Sequence, residues 1–134
     1  MASELRVNTL KDAAGNNSIA TSFVAGGSAK AWLQFNQETP ATTGSFNTSS
    51  VTDESAGEFD HNLTSAMANT SDVAIVGMAN HDSGDGNVRG VALQRDADGT
   101  FTTSRFPIEV VDMGNGSTQA DQKFVFIVAH GDLA

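Results

Sequence analysis

Apolar and polar positions alternate from the start of the chain. In LRVNTL, residues 5–10, Leu5, Val7 and Thr9 fall on one side of an extended strand, and Arg6, Asn8 and Leu10 on the other. DAAGNNS then supplies turn chemistry, because Asn and Gly tolerate positive φ. SIATSFV predicts a second strand, and AGGS ends it. The pattern predicts a hairpin within residues 1–29. Two strands alone are marginal in water, so this hairpin needs either the following domain or neighbouring chains.

From residue 30 onward the pattern is one of short strands. KAWLQFN and SFNTSSVTDESAGEFDHNLTSAM carry Trp32, Phe35, Phe46, Phe59 and Leu63 among Ser, Thr and Asn. This predicts an antiparallel sheet with a polar, hydroxyl-rich outer face. His61 is assigned to the side opposite Phe59 and Leu63. Strands are expected at 31–36, 45–52, 58–64, 72–79, 88–95, 100–101, 105–111 and 123–130. A spacing of about 10 to 14 residues, with Gly, Asn or Asp between, is the signature of a sandwich or barrel. VAIVGMA and FVFIVA are continuous apolar runs of strand length and predict central strands buried on both faces. Pro107 lacks a backbone donor, which predicts an edge strand or a strand that starts there. Residues 63–67 offer the one helical pattern and are too short to count. The expected fold is all-β: an antiparallel, jelly-roll-like β-sandwich over 30–134, preceded by the hairpin of 1–29.

Composition supports this reading. The chain has 134 residues, enough for one domain with a modest core. Twenty-six Ser and Thr and ten Asn weaken helix interiors and favour turns and solvated strands. The net charge of −9, with seven Lys and Arg, argues against a nucleic-acid or anionic-membrane partner, since both require a basic footprint. There is no cysteine and hence no disulfide or thiolate chemistry. No segment approaches the roughly 20 apolar residues of a membrane span, and MASELRVNTLKDAAG has no apolar core of the kind a secretory signal carries. The expected site of synthesis and assembly is therefore a cytosol.

Candidate chemistry is sparse. HDSGDGN and RDADGT cluster oxygen ligands that suit calcium, but no closing Glu or flanking helix accompanies them. Hairpin turns with Asp-Gly corners account for both better. Asp82, Asp85 and Asn87 in the first segment, and Asp96 and Asp98 in the second, are the candidate ligand-binding residues. His61, His81 and His130 lie in separate segments without ligand spacing and without a nucleophile elbow. They are expected at solvated or interface positions. Gly114-Asn115-Gly116 lacks the remainder of a phosphate loop. The sequons at Asn16, Asn47, Asn62, Asn69 and Asn115 follow from composition. Sixteen acids supply paired carboxylates by number alone, and no aromatic platform positions two of them, so an enzyme such as a depolymerase is disfavoured. No metal or cofactor is expected.

Several motifs are shared with a known group. AWLQFN at 31–36, SFNTSSVTD at 45–53, GEF at 57–59, LTSAM ending at Met67 and IVAHGD at 127–132 stand in the same order as in tail-fibre-like proteins of marine bacteriophages, which they resemble. SELRVNTL and DAAGNNSI are similar to the strand-turn-strand units at phage fibre N-termini. The resemblance implies a non-enzymatic virion structural protein that forms a homotrimer. It would attach through its N-terminal segment to a tail adaptor and present a sandwich to a host-surface glycan. The second function the resemblance allows is capsid decoration or a head fibre, with the major capsid protein as partner and a stabilised head as the result. Leu5, Val7, Trp32, Phe35 and Phe46 are the residues expected in assembly or core, with Trp32 and Phe35 buried within the domain or between subunits.

Overall fold

A computed structural model describes residues 6–80, 87–94, 100–114 and 118–134. Leu5, His81, Asp82, Asp85, Asp96, Asp98, Asn115 and Gly116 lie outside the described residues.

The N-terminal part is a small unit of its own. β1 (Thr9–Leu10) and β2 (Ile19–Ala20) pair antiparallel, Leu10 opposite Ile19. Their connection is organised by Asp12, whose carboxylate accepts the N–H groups of Ala14 (3.1 Å) and Asn16 (2.8 Å) and the Asn17 amide (2.9 Å). Gly15 and Asn17 take positive φ there, as the turn chemistry predicts. SIATSFV does not continue as a strand. Thr21 makes the last pairing contact, its N–H donating to the Asn8 carbonyl, and then opens α1 (Thr21–Gly27). The helix has no side-chain N-cap and ends in two glycines, and none of its residues is buried. By length and propensity such a helix is marginal.

Two antiparallel sheets form the rest. One has the order β4 (Ala41–Phe46), β3 (Ala29–Asn36), β11 (Val125–His130), β7 (Ala74–Ala79). In the other, β9 (Arg105–Asp112) pairs with β6 (Glu58–Leu63), β8 (Arg89–Leu93) and β10 (Thr118–Gln119), and β6 pairs with β5 (Thr48–Ser55). Alternate residues of each sheet meet in one core. Leu33, Phe35, Val125 and Ile127 come from the first sheet, and Phe59, Leu63, Phe106, Ile108 and Val110 from the second. Phe35 and Phe59 stack across the gap with centroids 5.1 Å apart. The strand-to-strand alternation that predicted half-buried strands is thus the alternation that builds this core.

Five expectations are corrected. The strand expected at 45–52 is broken at Asn47, which takes φ 56° and turns the chain from the first sheet into the second. Residues 100–101 are not a strand; Phe101 instead packs its ring on Phe106 at 5.5 Å. Pro107 lies in β9, an interior strand. Its carbonyl accepts the Gln94 N–H at 3.0 Å, so the backbone edge that lacks a donor faces the point where β8 has just ended. β7 is an edge strand, and both β7 and β11 expose alternate residues. His61 shares a face with Phe59 and Leu63, as residues two apart on a strand must, and is fully buried.

Gly77 decides how closely the sheets approach. A Cβ built there lies 2.4 Å from Val91 Cγ1 and 3.0 Å from Ile127 Cδ1. Only glycine lets β7 close against β8 across the core at this separation.

Candidate assembly surface

The central part of the first sheet's outer face is apolar. β3, β11 and β7 put apolar residues on both of their sides, and only one side faces the core. In register across the sheet, Phe46 stands opposite Trp32, Trp32 opposite Val128, and Val128 opposite Val76. The next row runs Gly44, Gln34, Phe126, Met78. Phe124 borders the second row, with the Lys123 ammonium 5.7 Å above its ring. Met78 is 68% exposed, Val76 61%, Phe46 53% and Trp32 41%. The Trp32 ring lies over Gly44, where a Cβ would stand 3.2 Å from Cζ3, so the indole lies across β4. Isolated exposed apolar residues are ordinary on a protein surface; a contiguous apolar sheet face marks a contact surface.

The N-terminal unit presents a second apolar set. Val7, Leu10, Ile19, Phe23 and Val24 are all exposed, Phe23 by 74%. The junction with the sandwich is held by local bonds. Ser28 N–H and Oγ donate to Val24 O and Ala25 O at 3.1 Å each, and Lys30 Nζ donates to Ala25 O and, at 2.7 Å, to Ser28 Oγ.

The polar outer face expected for residues 30–67 is found on the second sheet, where β5 and β6 lie; β3 and β4 of the same stretch belong to the first sheet and carry Trp32 and Phe46 outward instead. β5 exposes Ser50 and Thr52. Beside them Arg105 Nε donates to Asp60 Oδ2 at 2.6 Å, and the Gln119 amide bridges the Glu58 and Glu109 carboxylates. Asp53 lies at this sheet's edge. Partial burial raises its carboxyl above the usual range, with the Asp121 carboxylate adding to the effect.

Buried polar groups in the sandwich serve the fold. His61 Nε2 lies 2.8 Å from Thr48 Oγ1, its ring is edge-on to Phe106 at 5.9 Å, and burial pushes its pKa down to about 4. Gln37 and Gln122 are both buried and join the ends of β3 and β11, Gln37 N–H donating to Gln122 O at 2.9 Å and Gln122 N–H to Gln37 Oε1 at 3.3 Å. Arg89 and Asp112 form a buried ion pair at 2.7 Å. Among the described residues no three His, Asp or Glu side chains gather in a metal-ligating group. No helix among them is long and apolar enough to cross a membrane.

Of the candidate ligand-binding residues, Asn87 is described, and its amide is engaged by the Asp112 carboxylate at 3.1 Å. The attachment points of the two Asp-Gly segments, Asn87 and Gln94, stand at opposite ends of β8. Among the assembly or core residues, Phe35 is in the core, while Trp32 and Phe46 are on the exposed face and Val7 on the N-terminal unit. Trp32 therefore does not belong to the intradomain core. The apolar face escaped the sequence reading although its signal was present: continuous apolar runs in β7 and β11 were read as burial on both sides within one domain.

No protein-family model matches this chain, and searches of curated proteins and of solved structures find no match either.

Proposed function

We propose that the chain is a non-enzymatic structural protein of a phage virion, of the tail-fibre type. It attaches through its N-terminal unit and presents a jelly-roll-like sandwich for binding at the host surface. The observation that carries this reading is the apolar outer face of the four-stranded sheet, beside an N-terminal unit that buries almost nothing of its own. Both features are expected of a protein that completes its surfaces by assembly, and a homotrimer is the state we assign. The chain crosses between the sheets four times, at β4–β5, β6–β7, β7–β8 and β10–β11, and stays within one sheet at β3–β4, β5–β6 and β8–β9.

The shared motifs also meet in space. Met67, which ends LTSAM, pairs with Leu133, just beyond IVAHGD. Its methyl lies where a Cβ on Gly131 would be, 2.7 Å away. SFNTSS contains the Asn47 corner. These motifs thus sit at positions that determine the fold.

The test is cryo-electron microscopy of the phage particle that carries this protein. Density at the tail, with the sandwich outermost, is the expected result. Density across the capsid lattice would overturn the fibre reading in favour of head decoration.

A further inference from the structure

We infer that the N-terminal unit of one copy of this chain docks on the apolar outer face of the four-stranded sheet of the next copy, so that the subunits join head to tail in a closed ring. The inference rests on the assembly reading above and names the contact that achieves it.

Three observations carry it. First, the outer side of the first sheet carries a central apolar patch from β4, β3, β11 and β7, and the second sheet covers only the other side. Trp32, Phe46, Val76, Met78, Phe124 and Phe126 together leave on the order of 600 Å² of side chain in water, at the upper end of the largest patch on a typical monomer. Second, the same chain carries a separate uncovered apolar set on the unit formed by β1, β2 and α1, with Phe23 at its most exposed point. Third, the arm is not packed on its own sandwich: no residue of α1 is buried, and the bonds that join its last turn to the start of β3 are the local ones of Ser28 and Lys30.

The magnitudes select the ring. One arm against one face buries roughly 1,000 Å² in total, at the threshold of a specific interface. A single contact of that size is weak. Two different surfaces make a heterologous interface, and its closure gives every subunit two such contacts instead of one. Face-to-face pairing of two sheets would leave the arm's apolar residues in water, and arm-to-arm pairing would leave the sheet face in water. Of these three arrangements, arm-on-face contact is the one that covers both.

The test uses the full chain and two variants, Phe23→Asp on the arm and Met78→Asp on the face. Both positions are exposed, so thermal melting should show both variants folded; Val24→Asp and Val76→Asp replace either one that is not. Sedimentation velocity is run over a hundredfold range of concentration. The wild type is expected to form a ring of three, and each variant alone to stay monomeric. An equimolar mixture of the variants is expected to give a dimer, because the intact arm of one meets the intact face of the other. An association weakened by Met78→Asp alone would mean face-to-face pairing and overturn the inference. One weakened by Phe23→Asp alone would mean arm-to-arm pairing and overturn it equally. A ring unaffected by both variants would overturn the inference and leave the assembly reading standing. A wild type that remains monomeric throughout would overturn both.

Discussion

The side-chain carbonyl of Asn47 accepts the backbone N–H of Ser65 at 2.7 Å, tying the corner between the two sheets to the segment that leaves β6. The Asn47 amide completes the tie by donating to Lys30 O and Ser65 O, each at 3.0 Å. One residue thus ties the β4–β5 corner to β3 and to the segment after β6 while adopting φ 56° itself.

Replacing it separates backbone from side chain. Asn47→Gly keeps the left-handed conformation and loses three hydrogen bonds, each worth about 1 kcal/mol net. Asn47→Ala loses the same bonds and adds a left-handed penalty of about 1 kcal/mol. Urea unfolding should therefore rank wild type above Asn47→Gly and Asn47→Gly above Asn47→Ala. Equal stability of the two variants would mean that the corner relaxes out of the left-handed region.

His61 makes stability depend on pH in a defined window. Its folded pKa, about 4, lies below the ordinary histidine value of 6.5 because burial disfavours the charged ring. The unfolded chain therefore takes up the proton first. The full stability is present above pH 6.5 and falls as pH drops from there towards 4, by roughly 3 kcal/mol from this group. Asp53 acts in the opposite direction, since a raised carboxyl pKa favours the folded state at low pH, and its exposure keeps that effect small. Measuring the unfolding midpoint from pH 7.5 to 4.5 should show the decline in wild type and a flatter profile in His61→Leu.

Gly77 and Val91 should behave as a coupled pair. Gly77→Ala places a methyl within 2.4 Å of Val91 Cγ1, and overpacking of this kind costs about 1–3 kcal/mol. Val91→Ala alone leaves a void and also destabilises. The double variant should be more stable than the sum of the two losses predicts, in a double-mutant cycle read by denaturant midpoint. Simple additivity would mean that the sheets move apart rather than clash.

Trp32, the only tryptophan, stands on the candidate surface and reports on it directly. In the dispersed chain its emission should be that of a partly hydrated indole, accessible to acrylamide. Raising the concentration should shift the emission to the blue and protect it from quenching. Phe23→Asp should show neither change. An emission independent of concentration in the wild type would mean that nothing covers this face.

Much of the sandwich was legible because strand burial has a period of two. In β3 and β6 that period places Phe35, Phe59 and Leu63 in the core; the same period puts Trp32 on the face opposite Phe35 and His61 on the face of Phe59, against the expectation for each. Turn chemistry was equally plain at Asp12–Gly15–Asn17. Three kinds of position were not legible. Asn47 looked like one more polar residue within a strand, since a left-handed corner held by side-chain bonds has no period. α1 is built from Thr, Ser, Phe and Val, whose propensities favour strand, and only the end of β-pairing at Thr21 releases them into a helical turn. The apolar outer face was visible as a double-sided apolar run, but a sequence does not say whether the second side is covered by the same chain or by another.

The free edge of β7 sets a kinetic condition on all of this. Residues 74–79, AIVGMA, include no charge and no proline, and no strand among the described residues pairs with their outer edge. Such an edge is a template for strand addition by any extended chain. Copies of the chain can therefore grow edge to edge into aggregates whatever covers the apolar face. Such growth rises with the concentration of newly made chain, so the yield of soluble protein should fall when copies are made fast, and slow synthesis should raise it.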